Sequence, residues 1–178
     1  PCTLPFVLGS EVCGTVAAVG EDVTSVRVGD RVASADAQGA YAEYCLAGAD
    51  LTARVPDAIP SETAASALLK GLTAHFLFKS VYSVASGDDI LVHAGAGGVG
   101  LILTQWATAQ GARVLTTVST PAKNAMSRAA GAADVLDYPV TAGERAHCRA
   151  KLFWVDGVVQ YVGRSSRARH CALGRGGD

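Results

Sequence analysis

The chain has 178 residues, 49% of them hydrophobic and 17% charged, which suits one sizeable core or one domain plus part of another and excludes a disordered segment. Fifteen basic against sixteen acidic residues leave a net charge of −1, so nothing global draws the chain to nucleic acid or to an anionic membrane surface. No apolar run reaches the roughly 18 residues of a membrane span, no signal peptide is visible, and five cysteines without a CxxC pair indicate neither a disulfide framework nor a zinc cluster, so the expectation is reduced, buried cysteines in a cytoplasmic protein.

The sequence opens at Pro1 in mid-pattern and reads as an internal fragment. Residues 1–56 read as β. Glu11–Val19, rich in Val, Gly and Thr, ends at Gly20; Val26–Val32 contains the Gly29-Asp30 turn signal; Tyr41–Leu46 and Leu51–Val55 follow as short runs. Short strands at close spacing predict a small barrel or sandwich. Pro56 and Pro60 mark a change. Ser61 is the expected N-cap of a helix over 62–69, Gly71 interrupts it, and a helical pattern resumes over Leu72–Val84. Leu68, Leu69, Leu72, Phe76 and Leu77 recur at helical spacing and are expected mostly in the core.

From Ser86 the pattern alternates. Ile90–Ala94 is a buried-strand run, Val99–Gln110 a helix closed by Gly111, Arg113–Val118 a strand, Ala122–Ala130 a helix closed by Gly131, and Ala133–Tyr138 a strand. Strand, helix, strand, helix, strand predicts a doubly wound parallel sheet. Val155–Val162 is a candidate fourth strand, whereas Arg164–Arg169 carries no pattern on which to place an element.

Gly95-Ala96-Gly97-Gly98-Val99-Gly100 fits GxGxxG. The motif is weak alone, but here it follows a strand and opens a helix. The first glycine permits the tight turn, the second, Gly97, lets backbone approach a pyrophosphate, and the third allows close helix–strand packing, with the helix N-terminus offering free N–H groups to the anion. A dinucleotide binder that selects NAD carries an acid at the end of the next strand, about 20 residues on. That strand ends in Val118-Ser119-Thr120 instead, with Lys123 close behind. Hydroxyls followed by a lysine suit the 2′-phosphate of NADPH. Tyr138, at the end of the third strand, is placed to cover the adenine-ribose end. His75 and His93 both sit in apolar runs and read as structural.

Gly9-Ser10-Glu11-Val12-Cys13-Gly14, Val16, Val19-Gly20 and Gly29-Asp30-Arg31-Val32 form a pattern that resembles the GHExxGxVxxVG…GDRV signature of the medium-chain dehydrogenase/reductase superfamily. The zinc alcohol dehydrogenases of that superfamily use the histidine of GHE as a metal ligand. Ser10 stands there, a poor zinc ligand, and only eight residues separate Val32 from Tyr41, too few for a structural zinc lobe. No metal is expected. Ala64–Ala74, with Lys70-Gly71-Leu72-Thr73-Ala74, and His93–Gly100 narrow the resemblance to the zinc-free quinone oxidoreductases, the zeta-crystallin-like branch, whose HAAAGGVG pattern differs at Gly95.

The resemblance covers about residues 1–139. It implies part of a GroES-like β-barrel domain over residues 1–60, followed over 61–178 by a partial Rossmann domain with a doubly wound parallel sheet. It further implies that Thr73 meets the nicotinamide side of NADPH, that Gly98 and Val99 lie against the pyrophosphate, that Ser119, Thr120 and Lys123 bind the 2′-phosphate, and that Tyr138 lies beside that end. After about Glu144 the match fades into an Arg/Cys/His-rich stretch whose content reads as a reading-frame error or a decayed segment.

The expected activity is zinc-independent hydride transfer from NADPH to a quinone, in a parent protein that is a homodimer. Two alternatives stand beside it: an enoyl or alkenal reductase of the same superfamily, and a non-enzymatic remnant that retains NADPH affinity. No residue is assigned as a catalytic acid or base, because a quinone accepts two electrons directly and its product can take protons from water.

Overall fold

The computed structural model of the chain describes residues 4–137 and the strand Gly157–Val159. Three short strands come first. β1 (Val12–Thr15), β2 (Arg31–Ser34) and β3 (Thr52–Arg54) form an antiparallel sheet in the order β1-β2-β3, with Cys13 opposite Ala33 and Ala33 opposite Ala53. The turn signal before β2 is realised: Gly29 has φ +91°, and the Asp30 carboxylate accepts from Arg27 N at 3.0 Å and pairs with Arg54 at 2.8 Å. The predicted strand over Tyr41–Leu46 does not form. A single bridge joins Gln38 to Leu46, while Tyr41 and Tyr44 are 79% and 78% exposed, so those aromatics supply no barrel face among the described residues. Cys13 and Cys45 are half-buried free thiols; the other three cysteines lie outside the described residues.

The next element departs from its expected boundaries. α1 (Ser61–Phe76) is one helix running straight through Gly71, with Pro60 rather than Ser61 at its N-cap. A glycine inside a helix costs about 1 kcal/mol relative to alanine, which the rest of the helix absorbs. A π-helical turn, Leu77–Val81, follows. The predicted apolar set is a poor guide to the core here: Leu69, Leu72 and Phe76 are exposed, and the residues that sink inward are Ala74 and Phe78. Phe78 packs 5.3 Å from the Trp106 ring, at the heart of a cluster with Val84, Ile90, Val92, Val99, Leu103 and Val114.

The alternating half forms as expected, in the order β4 (Asp89–Val92), α2 (Gly98–Ala109), β5 (Arg113–Val118), α3 (Pro121–Ala129), β6 (Asp134–Asp137) and β7 (Gly157–Val159). The four strands are parallel, in the order β6-β5-β4-β7, which places β4 and β5 at the centre. Their residues explain the placement: Ile90, Leu91, Val92, Val114 and Leu115 are almost wholly buried, as the two covered faces of a parallel sheet require. Gly111 (φ +85°) and Gly131 (φ +107°) close α2 and α3 in the left-handed conformation that a residue with a Cβ resists. No helix among the described residues is long and apolar enough to cross a membrane.

Candidate functional site

The parallel register decides where the glycine-rich loop and the Ser119 turn meet. Val92 pairs with Thr116, so the segments leaving β4 and β5 emerge side by side at the carboxyl edge of the sheet. Ligands of open parallel sheets bind at that edge.

The loop after β4 is held by backbone and side-chain hydrogen bonds. Gly95 N donates to Thr117 O at 3.0 Å, and Gly97 N donates to Ala94 O at 2.8 Å. Ala94 takes φ +54°, a left-handed conformation that costs a non-glycine residue roughly 1–2 kcal/mol. His93 and Thr117 hold it from below: Ala94 N donates to Thr117 Oγ1 at 3.3 Å, and that oxygen lies 3.0 Å from His93 Nδ1. Burial lowers the His93 pKa from 6.5. His93 is thus a structural support of the loop. His75 is exposed, with its ring 6.0 Å from that of Trp106.

Each glycine of the loop has a different reason. A Cβ on Gly95 would overlap the Thr116 side chain, and one on Gly100 would overlap the Ala94 carbonyl, so these two permit close packing of strand and helix. Gly97 is the N-cap of α2, with extended backbone (φ −80°, ψ 168°) and no side-chain cap. The first intrahelical bond of α2 runs from Leu101 N to Gly97 O, and the N–H groups of Gly98, Val99 and Gly100 precede it, as the first turn of any helix dictates. Gly97 and Gly98 are exposed and Val99 is buried. This is a bare, electropositive helix end with its backbone accessible, which fits a pyrophosphate.

The second cluster lies at the start of α3. Thr120 caps that helix, its Oγ1 accepting from Lys123 N at 3.3 Å, and Pro121 takes the first helical position, where its missing N–H costs nothing. The cap turns the helix so that Lys123 Nζ reaches back to donate to Ser119 Oγ at 3.2 Å. All three side chains are exposed at the carboxyl edge, with no acid among them; Asp137 stands on the neighbouring strand opposite Val118. An ammonium ion, two hydroxyls and a helix N-terminus suit a phosphate monoester chemically.

Thr73 lies on the half-buried side of α1, its hydroxyl donating to Leu69 O at 2.9 Å, and α1 packs against α2. Tyr138 lies outside the described residues. Sequence reasoning missed Lys70. Its side chain leaves α1, crosses Gly98 and pairs with Glu11 at 3.1 Å. Fifty-nine residues separate the two partners, and no local pattern signals such a contact. Among the described residues no three His, Cys, Asp or Glu side chains converge as a metal site would require.

Comparison with known proteins places both halves of the chain among similar ones. Residues 1–57 match the family model of the alcohol dehydrogenase GroES-like domain. A quinone oxidoreductase from Pseudomonas aeruginosa is 46% identical over 136 residues, which cover 76% of this chain and 42% of that protein. A mycobacterial protein solved in complex with NADPH superposes with a TM-score of 0.82 at 63% identity, over 89% of this chain and 50% of the other. The Escherichia coli quinone oxidoreductase complexed with NADPH gives 0.81 at 41% identity, over 92% and 51%. The chain therefore spans about half the length of the proteins it matches. Over the residues matched, it is similar to quinone oxidoreductases.

Proposed function

We propose that this chain forms the NADPH-binding part of a zinc-independent quinone reductase. Residues 1–60 form part of its GroES-like catalytic domain and 61–178 part of its NADP-binding Rossmann domain. The carrying observation is the Ser119–Thr120–Lys123 cluster, which places a positive charge and two hydroxyls where an NAD-selective site needs an acid. The pyrophosphate rests on the N-terminus of α2, against Gly97, Gly98 and Val99. Thr73, on the helix packed beside α2, serves the nicotinamide end, and Tyr138 the adenine-ribose end.

Bound NADPH supplies a hydride equivalent, and a quinone, or another electron-poor conjugated carbonyl, accepts it. The chain's own residues contribute binding, orientation and exclusion of water. Ser10 offers a metal no strong ligand, and the neighbouring Glu11 is engaged by Lys70, which supports chemistry without zinc. The parent protein is proposed to be a homodimer.

Fluorescence titration of the intact protein with NADPH and NADH, with Lys123→Ala alongside, tests this reading. NADPH should bind far more tightly than NADH, and the variant should weaken NADPH by roughly tenfold to a hundredfold, the worth of one charge-assisted hydrogen bond, while leaving NADH unchanged. Equal binding of both cofactors, or loss of both in the variant, overturns it. Turnover of a panel of quinones against activated C=C substrates then identifies the acceptor.

A further inference from the structure

The Lys70–Glu11 pair joins the two halves of the chain. Glu11 directly precedes β1 in the antiparallel sheet, whereas Lys70 lies on α1, which packs against α2. Lys70 Nζ donates to both carboxylate oxygens of Glu11, at 3.1 and 3.3 Å. Neither group is deeply buried, their side chains being 35% and 29% exposed. The stem of Lys70 crosses the start of α2: a Cβ placed on Gly98 would lie 2.7 Å from Lys70 Cδ and 3.0 Å from Cε. Gly98 leaves room for that stem.

The route of the side chain has an electrostatic consequence. From the Gly98 backbone through Lys70 Cε and Nζ to the nearest Glu11 oxygen, the contacts place the carboxylate within roughly 10 Å of the N-terminus of α2. That is about one Debye length at 0.1 M salt, about 10 Å, and well inside the Debye length at low salt. An unpaired carboxylate at this distance would repel an arriving pyrophosphate.

We propose that Lys70 is a positioning residue for the dinucleotide: it neutralises Glu11 beside the N-terminus of α2, while its methylene stem walls the phosphate-binding turn at Gly98. This rests on the NADPH-binding reading above. The pair is electrically neutral from outside, so the anion meets the positive end of α2 without competition from Glu11. Lys70 acts through Glu11, whereas Lys123 acts on the ligand itself.

The test exploits the sign of each change. NADPH dissociation constants would be measured by fluorescence in the intact protein at low salt for Lys70→Met, Glu11→Gln and the double variant. Methionine keeps the stem and removes the charge. Lys70→Met should weaken binding by about tenfold, the scale of a unit charge at this range in a half-solvated site. Glu11→Gln should tighten binding several-fold, because it leaves the ammonium ion bare. The double variant should return to within about twofold of wild type, and Lys70→Arg should stay there as well.

A purely structural ion pair predicts the opposite pattern, in which both single variants and the double weaken binding together, and that result overturns the proposal. A double variant as weak as Lys70→Met overturns it too, since Lys70 would then contact the phosphates directly. If Lys70→Met does not fold, Glu11→Gln still decides, because unchanged or weaker binding contradicts the screening role. Failure of the wild-type protein to bind NADPH would overturn the proposed function and this inference together; wild-type binding with the wrong signs overturns the inference alone.

Discussion

Thr116 and Ser127 face each other with their hydroxyl oxygens 2.7 Å apart, both side chains wholly buried between β5 and α3. The pair sits beneath Gly95, where an added Cβ would overlap Thr116 and come within 3.0 Å of Ser127 Oγ. This explains why glycine stands where the HAAAGGVG pattern of the zeta-crystallin-like branch has alanine. Gly95→Ala should therefore destabilise the chain by about 1–3 kcal/mol, as overpacking does. Combining it with Thr116→Ala should recover part of that loss. Thr116→Val alone strands the Ser127 hydroxyl and should cost about 1–3 kcal/mol. Urea denaturation of the three variants checks all of this.

The half-buried imidazole of His93 makes stability pH-dependent. Its folded pKa lies below the ordinary 6.5, so between the two values the unfolded chain binds more protons than the folded one. The contribution of His93 is fully present above 6.5 and is lost as pH falls toward the lowered folded value. Denaturation midpoints measured from pH 7.5 downward should fall, and His93→Gln should flatten that slope. An equal slope in the variant would assign the effect to other groups.

Gly100→Ala is expected to be more damaging than any other substitution in the loop. Its Cβ would overlap the Ala94 carbonyl, and Ala94 is fixed by accepting from Gly97 N and donating to Thr117 Oγ1, while Gly100 is fixed in the first turn of α2. The cost should reach about 3 kcal/mol or more, visible as a lowered thermal midpoint with NADPH binding lost in the soluble fraction.

Gly71 behaves differently. It is helical, and a Cβ added there meets nothing within 4 Å. Gly71→Ala should raise stability by about 0.5–1 kcal/mol through helix propensity. A gain in stability with a loss of cofactor affinity would show that the open space beside Gly71 is used in binding.

Thr120→Ala removes the N-cap of α3 and should cost about 1 kcal/mol. It should also loosen the turn that aims Lys123 at Ser119, weakening NADPH several-fold with NADH unaffected. A circular dichroism melt and a paired cofactor titration separate the two effects.

Sequence by itself determined the alternating half of the molecule. Its strands are continuous apolar runs, its helices end at Gly111 and Gly131, and its loop glycines are spaced for a strand–helix turn; all of these are local signals. It also placed Ser119, Thr120 and Lys123 together, because a capped helix start is encoded within five residues. Only the tertiary structure decided the rest. The helix α1 runs through Gly71 because packing of Ala74 and Phe78 against Trp106 and β4 outweighs a single glycine. Leu69, Leu72 and Phe76 turn outward because the buried stripe of that helix is set by what packs on it, not by which residues are most apolar. Lys70 meets Glu11, and Thr116 meets Ser127, across 59 and 11 residues of chain. Such contacts depend on the register of strands and the crossing of helices, and therefore exist only once the whole core has closed.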